Sequence, residues 1–124
     1  MRNLLPIIIF LLALTGKAQD KECLNFKVGK FKYTNPDYSD LITIRKDTLQ
    51  IDYYPNFGWE LTSKINWLND CKYEMIYIAV NDSKLDLLIG TKFVIEIMEI
   101  NNNKILCRTV SEGLTVEQEM IKIE

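Results

Sequence analysis

The sequence predicts an all-β domain of eight antiparallel strands in an up-and-down meander that closes into a small barrel. Three observations carry this. Apolar and polar residues alternate with period two along most of the chain after residue 25. Turn-forming clusters recur between the alternating segments, and nearly all connections have hairpin length, so that neighbours pair antiparallel.

The first segment, Phe26 to Thr34, changes parity: Phe26 and Val28 share one face, Phe31 and Tyr33 the other, and a bulge at Gly29 reconciles them. Leu41 to Arg45 and Leu49 to Tyr54 follow, separated by Lys46-Asp47. The clearest alternation is Trp59 to Trp67, where Trp59, Leu61, Ser63, Ile65 and Trp67 oppose Glu60, Thr62, Lys64 and Asn66. Asn69-Asp70 then turns the chain into Lys72 to Val80. In Lys92 to Ile100 the apolar parity slips after Ile97, which predicts a second bulge there. Lys104 to Val110 and Leu114 to Ile123 complete the set.

The longest connection, Asn81 to Gly90, opens with capping residues and ends on a glycine. It reads as a short helix or a loop near 82–90, with Leu85, Leu88 and Ile89 covering one end of the sheet. A two-sheet β-sandwich is the alternative architecture. The barrel is favoured because sandwiches need more long crossings, and because closure leaves no exposed edge, as suits a monomer.

The N-terminus reads as an export signal. Met-Arg-Asn precedes an apolar run from Leu4 to Leu14, and small residues at Gly16 and Ala18 suit cleavage after Ala18. The expected organisation is a signal peptide at 1–18 and a single barrel-like domain at 19–124, periplasmic or extracellular. The run is too short for a stable membrane anchor. Cleavage removes Arg2 and Lys17, so the product is more acidic than the formal charge of -2 of the full chain. Its basic residues are scattered singly, which argues against a nucleic-acid partner.

Export changes the meaning of the three cysteines. An oxidising compartment favours pairing two of them and leaves one over. In a meander, odd-numbered strands start at one rim, so Cys23, before the first strand, and Cys71, before the fifth, share that rim, whereas Cys107 lies inside the seventh. A Cys23–Cys71 disulfide is therefore expected. The rival, a nucleophilic Cys71, has only Lys72 nearby to activate it.

At this point the opening Phe26-Lys-Val-Gly-Lys-Phe31 and the meander after it resemble the lipocalin-like, or calycin, β-barrels. The calycin glycine-x-tryptophan pattern is here Gly29-Lys30-Phe31, with phenylalanine in the tryptophan position. Cys-x-x-Phe-Lys-x-Gly-Lys-Phe at Cys23 to Phe31 and Trp-Leu-x-Asp-Cys-x-Tyr at Trp67 to Tyr73 also resemble a group of small exported bacterial proteins of uncharacterised function. What these likenesses imply is a fold.

The chain has no histidine, which removes histidine-paired nucleophiles, imidazole metal sites and histidine general bases. Glu117 with Glu119, and Glu96 with Glu99, fall at solvent positions, and Asp37 and Asp40 read as turn residues. Isolated glycines form no phosphate loop. No catalytic residue, metal ligand or cofactor is expected. Arg45 and Arg108 fall on outward parities.

The aromatic set is more informative. Phe31, Tyr33, Tyr53, Trp59, Trp67, Tyr73 and Tyr77 fall on inward parities, where they either fill a core or line a site. The reading is a non-enzymatic exported barrel that binds a small apolar or amphipathic ligand through Tyr33, Tyr53, Trp59, Trp67, Tyr73 and Tyr77. The alternative is a filled barrel acting through its surface on a protein partner, as an interaction module or inhibitor. A connected interior cavity of roughly 300 Å³ or more favours the first.

Overall fold

The computed structural model describes residues 22–124, so the signal-peptide segment lies outside the described residues. The eight expected strands are present: β1 Gly29–Tyr33, β2 Ile42–Arg45, β3 Leu49–Tyr54, β4 Trp59–Asn69, β5 Lys72–Val80, β6 Lys92–Asn101, β7 Lys104–Ser111 and β8 Leu114–Lys122. Each pairs antiparallel with the next in sequence, and β1 pairs with β8 to close the barrel. Closure uses Phe31 opposite Lys122 and Tyr33 opposite Met120. The Ile123 amide adds a bond to the Lys30 carbonyl at 2.8 Å.

Two parity shifts in the sequence have different origins. The expected bulge near Ile97 is present as a register shift between Ile97 and Glu99. At Gly29 there is no bulge within a strand; the strand begins there. Residues 22–24 are helical, and the Phe26 amide bonds to the Cys23 carbonyl at 2.9 Å, so Phe26 belongs to a compact N-terminal turn. Gly29 has φ of +152°, and a Cβ on it would stand 2.7 Å from the Glu124 carbonyl oxygen. Only glycine lets the C-terminal strand come this close. Two further shifts, between Thr62 and Ser63 and between Trp67 and Asn69, have no counterpart in the sequence reading.

The long connection is a 3-10 helix, Ser83–Leu88, capped by the Asp82 carboxylate, which accepts from the Lys84 amide at 2.9 Å. Leu85 and Leu88 are half-buried, whereas Leu87 and Ile89 are exposed. A second 3-10 turn, Pro36–Tyr38, links β1 to β2 and is capped by Asn35.

Odd strands begin and even strands end at one rim, and there the N-terminal turn is fastened. A disulfide joins Cys23 to Cys71 as expected. Lys27 pairs with Asp70 at 2.9 Å, and the Lys122 ammonium donates to the Asn25 carbonyl at 2.6 Å. Phe26 and Phe31 are buried beneath this turn. The core continues through Ile65, Ile97, Ile105 and Met120. Fully burying each such side chain contributes about 1.5 to 3 kcal/mol.

Candidate functional site

The interior is decided by register, and register corrects the parity of β2 and β3. Residues directly opposite one another across a ladder share a face. Leu61 and Ser63 of β4 are buried, and they pair with Asp52 and Gln50 of β3. Those in turn pair with Thr43 and Arg45 of β2, and Thr43 pairs with the buried Phe31. Thr43, Arg45, Gln50, Asp52 and Tyr54 therefore point inward. Ile42, Ile44, Ile51 and Tyr53 point outward although they are the more apolar set. Tyr53 thus leaves the expected interior group. Arg45, expected in solvent, is 1% exposed. Arg108 is on the outside, ion-paired with Glu117 at 3.2 Å.

At the fastened end the interior is solid. The Arg45 guanidinium lies 4.6 Å from the Phe31 ring centre and 4.8 Å from that of Tyr73, a cation held by aromatic rings. Its three nitrogens have no hydrogen-bond partner among the described residues, and neither does the Ser63 hydroxyl. Trp67 packs here too, 4.7 Å from Tyr73, with the Lys27 ammonium 4.9 Å from its ring.

Above this layer lies a polar network. The Tyr73 hydroxyl donates to Gln50 Oε1 at 3.0 Å, which turns the Gln50 amide nitrogen toward Asp52. Asp52 Oδ1 accepts from Thr43 Oγ1 at 2.7 Å and from Gln50 Nε2 at 3.2 Å. Burial raises the pKa of Asp52, while the Thr43 and Gln50 donors and the charge of Arg45 oppose that shift.

The network forms the floor and wall of a cavity of about 220 Å³ that faces the other rim. Tyr33, Tyr54, Tyr73, Tyr77 and Phe93 supply its aromatic wall, with Leu41, Met75 and Ile95 between them. Val116, half-exposed, stands at the mouth. Burial pushes the Tyr54 phenol up to about 12, and it raises Tyr33, Tyr73 and Tyr77 as well. All four are neutral phenols and not phenolates at neutral pH. Cys107, free and buried, also lines the cavity, and desolvation pushes its thiol up to about 11. That makes it a poor nucleophile.

Of the six aromatic candidates, the cavity unites Tyr33, Tyr73 and Tyr77. Trp67 lies below it in the solid end. Trp59 lies at the open rim, stacked on Phe57 at 4.4 Å, and donates its indole N–H to Asp82 at 3.2 Å. It anchors the long connection. Asp52, Gln50 and Tyr54 line the cavity and were missed. One signal could have found Tyr54: the four-residue turn Pro55 to Gly58 places it opposite Trp59, on the same face.

A second hollow, about 640 Å³, lies on the surface between the N-terminal turn, the β6–β7 turn and the C-terminus. Polar turn residues, Asn101 to Asn103 among them, make up much of it. Although larger, it lacks the enclosing aromatic wall that suits recognition of a small molecule. No group of His, Cys, Asp and Glu among the described residues has the arrangement of a metal site. The chain matches no family model, no curated protein and no solved structure. The reading of its function rests on the interior.

Proposed function

We propose that the chain is a non-enzymatic exported barrel that holds a small amphipathic molecule in the cavity between Asp52 and the open rim. The observation that carries this is the cavity itself, in which four phenols, one carboxylate, Gln50, Thr109 and Gln118 share the wall with Leu41, Met75, Phe93, Ile95, Val116 and Met120. A wall of this kind buries an apolar body and orients a polar end. At about 220 Å³ it falls short of the roughly 300 Å³ expected of a ligand-binding interior, the size at which drug-sized pockets begin, so the reading holds only for a smaller guest. The guest is accordingly compact, on the scale of one ring with a short side chain.

Export is supported by the apolar leader at 4–14 and by the oxidised Cys23–Cys71 pair, since disulfides persist in oxidising compartments. The likeness of Cys23 to Phe31 and of Trp67 to Tyr73 to small exported bacterial proteins points the same way. A non-enzymatic role is supported by the lack of histidine and by the high pKa of the Cys107 thiol.

One observation favours a second reading, a surface interaction module. Phe57 in the β3–β4 turn, Leu87 in the 3-10 helix and Leu114 at the start of β8 are 64%, 95% and 73% exposed at the open rim. Native mass spectrometry of protein purified from its own host separates the two. The first reading expects a small-molecule adduct that is released on denaturation and is missing from a cavity-filling Thr109→Trp variant. An adduct-free protein whose melting temperature no compact amphipathic compound raises would contradict it.

A further inference from the structure

We propose that the molecule recognised in this cavity is a small organic cation, an alkyl- or arylalkylammonium ion, with Asp52 as its counter-charge and the tyrosine rings as its walls. The proposal rests on the ligand-binding reading of the same cavity and adds to it the chemical class of the guest.

Asp52 is the only charged side chain among the described residues that line the cavity. It is 5% exposed and set on a central part of β3, between two paired neighbours. Its two oxygens are not equivalent. Oδ1 is occupied by Thr43 at 2.7 Å and Gln50 at 3.2 Å, whereas Oδ2 has only the Gln50 amide at 3.4 Å. Both neighbours donate, so they hold the group as an acceptor. With its Oε1 accepting from the Tyr73 hydroxyl at 3.0 Å, Gln50 presents its amide N–H groups to Asp52. An ammonium N–H approaching Oδ2 completes this set with a charge-assisted hydrogen bond.

The wall suits a cation equally well. Tyr33, Tyr54, Tyr73, Tyr77 and Phe93 line the cavity, and aromatic faces attract an ammonium group, more strongly when it is desolvated. The rival guest is a carboxylate drawn to Arg45. That guanidinium does not line the cavity; it lies against the rings of Phe31 and Tyr73. An anion entering from the open rim meets the Asp52 carboxylate, which repels it.

The test uses the disulfide-intact protein and three probes of matched shape: phenethylammonium, 2-phenylethanol and 3-phenylpropanoate, each titrated by calorimetry. The expected result is an ammonium affinity at least tenfold above that of the alcohol, with the carboxylate weakest. In Asp52→Asn the ammonium loses its advantage, so that the ratio of ammonium to alcohol affinity falls from tenfold or more to about one. Equal binding of ammonium and alcohol overturns the cation assignment but leaves the cavity reading standing. Tightest binding by the carboxylate overturns it in favour of Arg45. Failure of all three to bind removes the cavity reading as well.

Should Asp52→Asn not fold, the wild-type protein gives the second measurement. The groups facing Asp52 are Arg45, the phenols of Tyr33, Tyr54, Tyr73 and Tyr77, and the Cys107 thiol. The four phenols and the thiol, with raised pKa values, stay neutral in acid. The ratio of ammonium to alcohol affinity therefore falls as acid protonates Asp52. A ratio independent of pH overturns the proposal.

Discussion

At the rim where β1 begins, a helical turn, a disulfide, an ion pair and two buried phenylalanines fill the barrel's interior, and the hollow there lies on the outer surface. At the opposite rim the connections are longer, their apolar residues stand in water, and a cavity runs inward to Asp52. The same meander builds both ends, so topology does not make the difference. It comes from what the chain places above each rim: a covalently fastened lid at one, and 3-10 segments and tight turns at the other.

The sharpest way to break this comparison is to remove one phenylalanine from each end. Phe31 is fully buried and lies against Arg45, so Phe31→Ala is expected to cost about 3 to 5 kcal/mol. Phe57 is 64% exposed, and Phe57→Ala is expected to cost less than about 1 kcal/mol, through loss of its stack on Trp59. Urea denaturation reads both. Equal losses would show that the open rim is as well packed as the closed one.

Unfastening the lid comes next. The cysteines are 48 residues apart, and in the loop-entropy model a closure of this size contributes about 4 kcal/mol. Replacing both Cys23 and Cys71 by serine should lower the unfolding free energy by about that amount. Probes bound at the Asp52 end should retain their affinity at temperatures where the variant remains folded. Lost affinity in a folded variant would mean that the lid shapes the cavity from below.

Arg45 gives the third test, and here a gain is expected. A buried guanidinium without hydrogen-bond partners carries a desolvation cost that its ring contacts only partly offset. Arg45→Met in an Asp52→Asn background, where no buried carboxylate loses a counter-charge, keeps the volume and removes the charge, and is expected to raise stability by about 1 to 2 kcal/mol. A loss of that size instead would show that the ring contacts outweigh desolvation.

Arg45 also shows where sequence reasoning stops. The strands, the closure, the disulfide and the bulge at Ile97 were legible because each depends on local alternation, turn residues or the rim at which a strand starts. The inward set of β2 and β3 was not. Ile42, Ile44 and Ile51 are more apolar than Thr43, Arg45, Gln50 and Asp52, and a rule that sends the apolar set inward picks the wrong face. The pairing of Phe31 with Thr43 and of Leu61 with Asp52 overrides local hydrophobicity, because a slip of one residue would reverse the faces of neighbouring strands. Half of the candidate site, Tyr33, Tyr73 and Tyr77, survived since those strands obey the ordinary rule. Asp52 was not among the expected residues, because a buried carboxylate runs against composition and is visible only through its donors.

The finest comparison follows from Asp52 itself and needs no ligand. Desolvation raises its pKa in the folded chain above the ordinary 3.8, so the folded state holds the proton more tightly than the unfolded state does. The stability this gives is fully present below pH 3.8 and is lost as pH rises through the folded-state value. At neutral pH the buried carboxylate is therefore a cost to folding, which suits a group kept for binding. Asp52→Asn removes that titration. The stability of the variant relative to wild type should increase as pH rises from 4 toward 7, measured by urea denaturation at a series of pH values. A difference that is flat across this range would mean that the Thr43 and Gln50 donors fully offset burial, and one that decreases would mean that Asp52 contributes to folding as a structural anion.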